Sequence, residues 1–424
     1  MKKILIITPH YPPSNLAAVH RSRLFAQHLA SFGWEPVILA VHEEFYEESL
    51  DRNLQQLIPA EQRIVKVSAC PITNPRVIGD IGLRAFFQLR KKALELIRTE
   101  QIDFVYIPVP SFYVSLIGQY LQRKTGVKFG IDYIDPWVHI FPGSEKLFSR
   151  HWFSTYLAKW LEPKAVRNAS LITGVAEGYY KGVLERNPQL LKTCLFGAMP
   201  YGGEASDHAG LKQLGLKPYL FERTNKLQLV YAGAMLPKAY APLEEIFKAV
   251  SSNRQLFEDV EFYFIGTGKK ADDPNGYNIK PLAEQYGLWQ KVVFEFPRRI
   301  PYLDVLVHLD AADAVFILGS TEPHYTPSKT YQGVLSQKPI LAVLNTASTA
   351  VEVVRNSGAG LVLDFEGLEG LPLIQRHFCD VFQQFRKFRQ EFNPDSVDQK
   401  VFELYSARSV TAVLARLLDL VHEH

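Results

Sequence analysis

Short apolar runs, bounded by glycine, proline or polar residues, alternate with segments in which apolar positions recur every third or fourth residue. A run of the first kind reads as a strand buried on both faces, and a segment of the second kind as a helix with one face on a core. In the first half the pattern predicts strands at Lys3–Thr8, Glu35–Val41, Ile64–Val67, Phe104–Ile107, Lys128–Tyr133 and Ser170–Val175. It predicts helices over Ala18–Phe32, Gly82–Thr99, Val114–Arg123 and Ala176–Glu185. A glycine-rich passage, Gly197–Leu216, reads as an interdomain linker. The alternation then restarts, with strands at Leu227–Ala232, Glu261–Ile265, Val292–Glu295, Ala314–Leu318, Pro339–Val343 and Gly360–Leu363. Helices are predicted over Pro242–Val250, Leu282–Tyr286 and Tyr302–Leu309, and an amphipathic helix over Phe402–Val421 closes the chain. This alternation specifies an α/β fold, and 424 residues are too many for one ordinary core. The expected architecture is two Rossmann-like, doubly wound domains, residues 1–203 and 204–424, with C-terminal helices.

Open α/β sheets bind ligands at the carboxyl ends of their strands, so the loops there carry the candidate chemistry. The loop after the first strand, Pro9-His10-Tyr11-Pro12-Pro13-Ser14-Asn15, lacks Gly-x-Gly-x-x-Gly and does not support a dinucleotide. In the second half, Thr326-Pro327-Ser328-Lys329 reads as a helix start after the strand Ala314–Leu318, with Thr326 or Ser328 as cap. A helix N-terminus there favours an anion, and Lys329 adds a full positive charge. Gly233 would let backbone approach a ligand and Lys238 would reach a phosphate, although a lone loop lysine is commonly just solvated. Gly266-Thr267-Gly268-Lys269 is not a Walker loop and reads more readily as a tight strand-to-helix turn. Arg298-Arg299 suits phosphate or base recognition, or is a surface pair. Glu322 would order a sugar hydroxyl and His324 would donate to a phosphate, against the bland reading of a structural loop histidine. Asp135 and His139, in Asp135-Pro136-Trp137-Val138-His139, place a carboxylate and an imidazole beyond a first-half strand, or form an ordinary Asp-Pro turn.

Composition narrows the setting. The net charge of +3 is uneven: residues 1–205 carry 24 Lys and Arg against 18 Asp and Glu, while residues 206–424 carry 23 against 26. A modestly basic first half suits an acidic partner such as a membrane surface, or a solvated face, and gives no reason to expect nucleic acid. The three cysteines, Cys70, Cys194 and Cys379, are too far apart for a metal-ligand spacing, and no metal is expected. No apolar stretch approaches the ~20 residues that span a bilayer, so the expected place is the cytoplasm, with membrane contact peripheral. Residues 82–99 and 144–161 mix aromatic and basic side chains as interfacial helices do, as well as amphipathic core helices with a solvated basic side.

Three pieces resemble the nucleotide-sugar-dependent glycosyltransferases of the GT-B fold, especially family 4-like members. They are Lys3–Pro13, the pair Leu229–Gly233 with Phe262–Gly268, and above all Pro327–Ala342; Ile131–Trp137 also fits. The resemblance covers nearly the whole chain in the right order. It implies two domains facing across a cleft, a nucleotide diphosphate sugar against the C-terminal one and a lipid- or polysaccharide-linked acceptor against the other. It implies a retaining transfer without metal or other cofactor, at the inner membrane face. Lys238, Lys329 and backbone N–H groups near Ser328 would take phosphates, and Arg298 or Arg299 would lie near the base. Gly233, Gly266 and Glu322 would complete the donor site, and Asp135 or His139 would orient or deprotonate the acceptor. The sequence departs from the family at Ala234, where an arginine is usual, and at His324 and Gln332, where its paired glutamates fall. Gln332 would still bond a ribose hydroxyl, and His324 would lie by the transferred sugar. These departures motivate an alternative, a non-catalytic nucleotide- or glycan-binding subunit; a sugar-nucleotide epimerase is a third reading.

Overall fold

A computed structural model describes residues 1–76, 78–138, 146–323 and 325–423. The chain divides into two compact units, residues 1–201 with 407–424, and residues 202–406. The first contains strands β1 (Lys2–Ile7), β2 (Trp34–Val41), β3 (Arg63–Val67), β4 (Phe104–Val109), β5 (Lys128–Tyr133), β6 (Leu171–Gly174) and β7 (Leu195–Ala198). They form one parallel sheet in the order β3-β2-β1-β4-β5-β6-β7. The second contains β8 (Leu227–Ala232), β9 (Val260–Ile265), β10 (Val293–Phe296), β11 (Ala314–Leu318), β12 (Ile340–Asn345) and β13 (Gly360–Phe365). Its parallel order is β10-β9-β8-β11-β12-β13. Both are doubly wound, Rossmann-like sheets, with helices on their faces.

The apolar runs are continuous because both faces of each sheet are covered. In β1, Leu5 and Ile7 enter the core on one face, while Ile4 and Ile6 enter that on the other. Order reverses between β1 and β4 in the first sheet and between β8 and β11 in the second. Each reversal opens a crevice at the carboxyl ends of the strands.

Several expected elements come out differently. The supposed linker Gly197–Leu216 holds the end of β7 and a helix, Ala205–Gln213, which buries Asp207, Gly210 and Leu211. The expected terminal helix is two helices, Gln399–Glu403 and Ala407–Glu423. The last belongs to the first unit, not to the second domain where the sequence placed it. Its Val410, Leu414, Leu418 and Val421 complete the core around Ile4, Phe25 and Trp34, and Asp419 takes both Lys2 Nζ (2.5 Å) and Trp34 Nε1 (2.9 Å). A long helix, Leu371–Glu391, buries Ile374, Phe378, Phe382 and Phe385 under the second sheet and was not anticipated. The helix expected over Gly82–Thr99 breaks at Ala85 into Ile81–Arg84 and Phe86–Glu100. Within the expected 144–161 segment, residues 144 and 145 lie outside the described residues, and the helix is Arg150–Val166.

One buried ion pair ties the first unit together. Arg21, on the helix Ala17–His28, meets Asp132 of β5 through Nε (2.5 Å) and Nη2 (3.0 Å), both side chains being fully buried. Its Nη1 donates to the Pro200 carbonyl (2.9 Å) beyond β7. Thr173 of β6 donates to Asp132 (2.8 Å) and shares a hydrogen bond with Tyr106 of β4 (2.7 Å). The network thus ties the helix Ala17–His28, β4, β5, β6 and the chain beyond β7 together around one buried carboxylate. Removing a partner leaves an uncompensated buried charge, which costs about 3–5 kcal/mol. Asp132→Asn should therefore lower the unfolding transition of the first unit by about that much. Denaturant titration by tryptophan fluorescence checks this, since Trp34, Trp137, Trp152 and Trp160 lie in that unit.

Candidate functional site

The carboxyl edge of the second sheet gathers most of the expected donor residues. Gly233 follows β8 and Gly266 follows β9, and their φ values of 149° and 76° suit glycine and few other residues. Gly233 N donates to Ile265 O (2.9 Å) and Gly266 N to Phe296 O (2.8 Å), so each loop is pinned to the strand beside it. Across the order reversal, Lys238 after β8 pairs with Glu322 after β11 at 3.0 Å, and Thr321 N donates to Lys238 O (3.1 Å). The Lys238 side chain is 59% exposed, and ion pairs so open to water contribute only about 0–1 kcal/mol. A bound phosphate can therefore take over this ammonium at little cost. Arg298 and Arg299 follow β10 and are both exposed.

Beneath these loops sits a carboxylate with no part in the sequence reading. Glu295 of β10 is 5% exposed and accepts from Thr267 Oγ1 (2.6 Å) and from the N–H groups of Asn278 (2.8 Å), Ile279 (2.9 Å) and Lys280 (2.8 Å). It satisfies the start of the helix Lys280–Gln285 and clamps the Gly266–Gly268 turn from below. Thr267 is fully buried, so this turn presents backbone rather than side chain.

The helix after β11 spans Lys329–Leu335. Neither expected cap forms. Ser328 is already in helical conformation and makes no capping bond, while the Thr326 hydroxyl is turned to that of Thr349 (2.9 Å). Thr330 N instead donates to the Pro327 carbonyl (3.1 Å). The Lys329 ammonium lies 4.9 Å from the centre of the Tyr302 ring. Burial pulls Lys329 down to about 8, and the charge of Asp207 opposes that fall. Gln332 is 5% exposed and its Oε1 lies 3.2 Å from His208 Nε2. His208 Nδ1 lies 3.2 Å from Asp310.

In the first unit, Asp135 follows β5 and is exposed to solvent. Desolvation by surrounding protein pushes its carboxyl up to about 6, a rise that access to water tempers, and no charged partner among the described residues contributes. Trp137 stacks on Phe112, with centroids 5.6 Å apart and planes 6° from parallel. The expected His139 and His324 lie outside the described residues. An imidazole the sequence reading passed over stands at the end of β1: His10 Nδ1 is 2.8 Å from Glu48 Oε1, which Ser14 Oγ also contacts. Burial disfavours the Glu48 carboxylate, but His10 and Ser14 outweigh it and hold the carboxyl down at about 2. Lys238 and Glu322 pair with each other, Lys329 meets Tyr302 and the charge of Asp207, and Gln332 meets His208; Asp207 and His208 lie in the misread linker. Glu295→Ala, which strips four donors of their acceptor, should cost the second unit about 3 kcal/mol. It should also speed amide exchange at Thr267 and Asn278–Lys280, measured by hydrogen–deuterium exchange.

No family model and no curated protein matches the chain. Solved structures do. A glycosyltransferase from Rickettsia africae is 15% identical over 99% of this chain and 98% of its own, with a TM-score of 0.60. HepE of Anabaena, solved with UDP, is 14% identical over 99% and 100%, with a TM-score of 0.60. Sucrose-phosphate synthase from Thermosynechococcus elongatus is 14% identical over the full length of both chains, with a TM-score of 0.61. At such identities the likeness concerns architecture, and it spans the chain from end to end: the fold is that of the GT-B glycosyltransferases.

Proposed function

We propose that the protein is a glycosyltransferase that moves a sugar from a nucleotide diphosphate to a lipid- or polysaccharide-linked acceptor, with retention of configuration. The observation that carries this reading is the meeting of Lys238, after β8, with Glu322, after β11, where the second sheet reverses order beside Gly233. The same fold holds UDP and UDP-glucose in HepE. Lys238 and Lys329 would neutralise the leaving diphosphate, in the role a metal plays elsewhere, and no cofactor is invoked. Arg298 or Arg299 would lie against the base and Gln332 against the ribose. Ser328 would offer its backbone N–H, and Glu322, freed from Lys238, would take a sugar hydroxyl. Asp135, ionised above about pH 6, would orient or deprotonate the acceptor.

Two helices of the first unit support a lipid-linked acceptor reached from the cytoplasm. On Arg150–Val166, Phe153, Tyr156, Lys159 and Trp160 are exposed, and Lys164 Nζ lies 3.0 Å from the centre of the Trp160 ring. On Phe86–Glu100, Phe87 and Lys91 are exposed. Aromatic rings beside cations are the composition of a membrane-interface face. No described helix is long and apolar enough to cross a membrane.

A calorimetric and donor-hydrolysis screen of nucleotide sugars tests the proposal. One nucleotide diphosphate sugar should bind and turn over, and Lys238→Ala or Lys329→Ala should each weaken it on the order of tenfold or more. Binding without turnover favours the non-catalytic subunit; no binding at all overturns the proposal. Binding should also take up a proton. The free Lys329 ammonium, pulled down to about 8, is half neutral near that pH, and a diphosphate favours its charged form. Affinity should therefore fall as pH rises past about 8. Calorimetry in buffers of different ionisation heat measures the uptake.

A further inference from the structure

We propose that Asp207 and His208, adjacent on the helix Ala205–Gln213, are positioning residues that set Lys329 for the diphosphate and Gln332 for the ribose of a nucleotide ligand. This rests on the donor-site reading above and names the residues on which its two contacts depend.

The helix begins two residues after Gly203, whose N–H donates to Tyr405 O (2.9 Å). Glu204 caps it, accepting from Ser206 N (3.1 Å) and Ser206 Oγ (2.7 Å). Asp207 is fully buried. It accepts from the hydroxyl of Tyr302 (3.0 Å), on the helix Tyr302–Ala311, and the other end of the same residue is the ring on which Lys329 rests. The carboxylate therefore acts on the lysine by its charge, without touching it, and through the ring between them. Accepting the phenol's hydrogen bond makes the ring more electron-rich, which strengthens its attraction for an ammonium. A carboxylate in direct contact would instead cancel the charge that a diphosphate needs. Lys238 shows that other arrangement, paired with Glu322.

His208 treats the next turn alike. It bridges Asp310 and Gln332 at 3.2 Å on each side, with 10% of its side chain exposed. A side-chain amide is free to turn about its last bond, so this contact selects one direction for Gln332. The groups facing Lys329 are thus Tyr302 and Asp207. Those facing Gln332 are His208 and, behind it, Asp310.

Three variants separate the two arms. Asp207→Asn should lower the titration midpoint of Lys329, read by NMR of the 13C-methylated lysines, since Asp207 supports its charged form, and Tyr302→Phe should lower it too, since a ring without the hydroxyl is less electron-rich. Both should weaken UDP and inorganic pyrophosphate alike, on the order of tenfold at pH 8. His208→Ala should weaken UDP by a similar factor but leave pyrophosphate, which has no ribose, unchanged. An unmoved Lys329 midpoint in folded Asp207→Asn or Tyr302→Phe protein overturns the first arm. Equal effects of His208→Ala on UDP and pyrophosphate overturn the second. If the unaltered protein binds neither probe, the donor reading fails instead, and the Lys329 titration still decides the role of Asp207.

Discussion

Parallel pairing is the constraint from which the rest of the molecule follows. A parallel strand cannot be joined to its neighbour by a tight turn, so each return needs a crossover, usually helical, across a face of the sheet. The crossovers bury both faces, which is why β1, β4 and β8 are apolar without alternation. They also gather every strand's outgoing loop on one edge. Where the strand order reverses, between β1 and β4 and between β8 and β11, neighbouring crossovers leave on opposite faces and the edge stays open. The position of a site is thus a consequence of topology, and the residues there only decide what it binds.

At the second reversal the protein holds its cations in two ways. Lys238 waits in a solvent-exposed pair that any phosphate can replace. Lys329 is half-buried and set on a ring, with the Asp207 carboxylate behind that ring. In the proposed donor site the exposed cation would follow the ligand, while the half-buried one would fix where the ligand lies. Glu295 supplies a third element, holding the Gly266–Gly268 turn from beneath so that its backbone rather than a side chain faces outward.

Much of the fold was legible because a doubly buried strand announces itself: Lys128–Tyr133, Leu227–Ala232 and Ala314–Leu318 appear with the bounds the sequence suggested. The long helix Leu371–Glu391 was not, since Asp380, Gln383 and Gln384 stand between its buried phenylalanines and Arg376, Arg386 and Arg389 flank them. The helix Ala205–Gln213 hid for the opposite reason: its buried positions include an aspartate and a glycine, which look like loop. Partnerships between distant residues were invisible altogether. Nothing in the local sequence of Arg21 points to Asp132, or in that of Gln332 to His208. The motif around Lys329 could be read, but not the ring and carboxylate that tune it.

The most direct measurement is a crystal structure with UDP bound. The diphosphate should lie at the carboxyl ends of β8 and β11, with Lys238 turned from Glu322 onto a phosphate oxygen, Lys329 still over Tyr302, and the ribose within hydrogen-bond distance of Gln332. UDP bound elsewhere, or bound there with the Lys238–Glu322 pair intact and Lys329 remote from the phosphates, would contradict it.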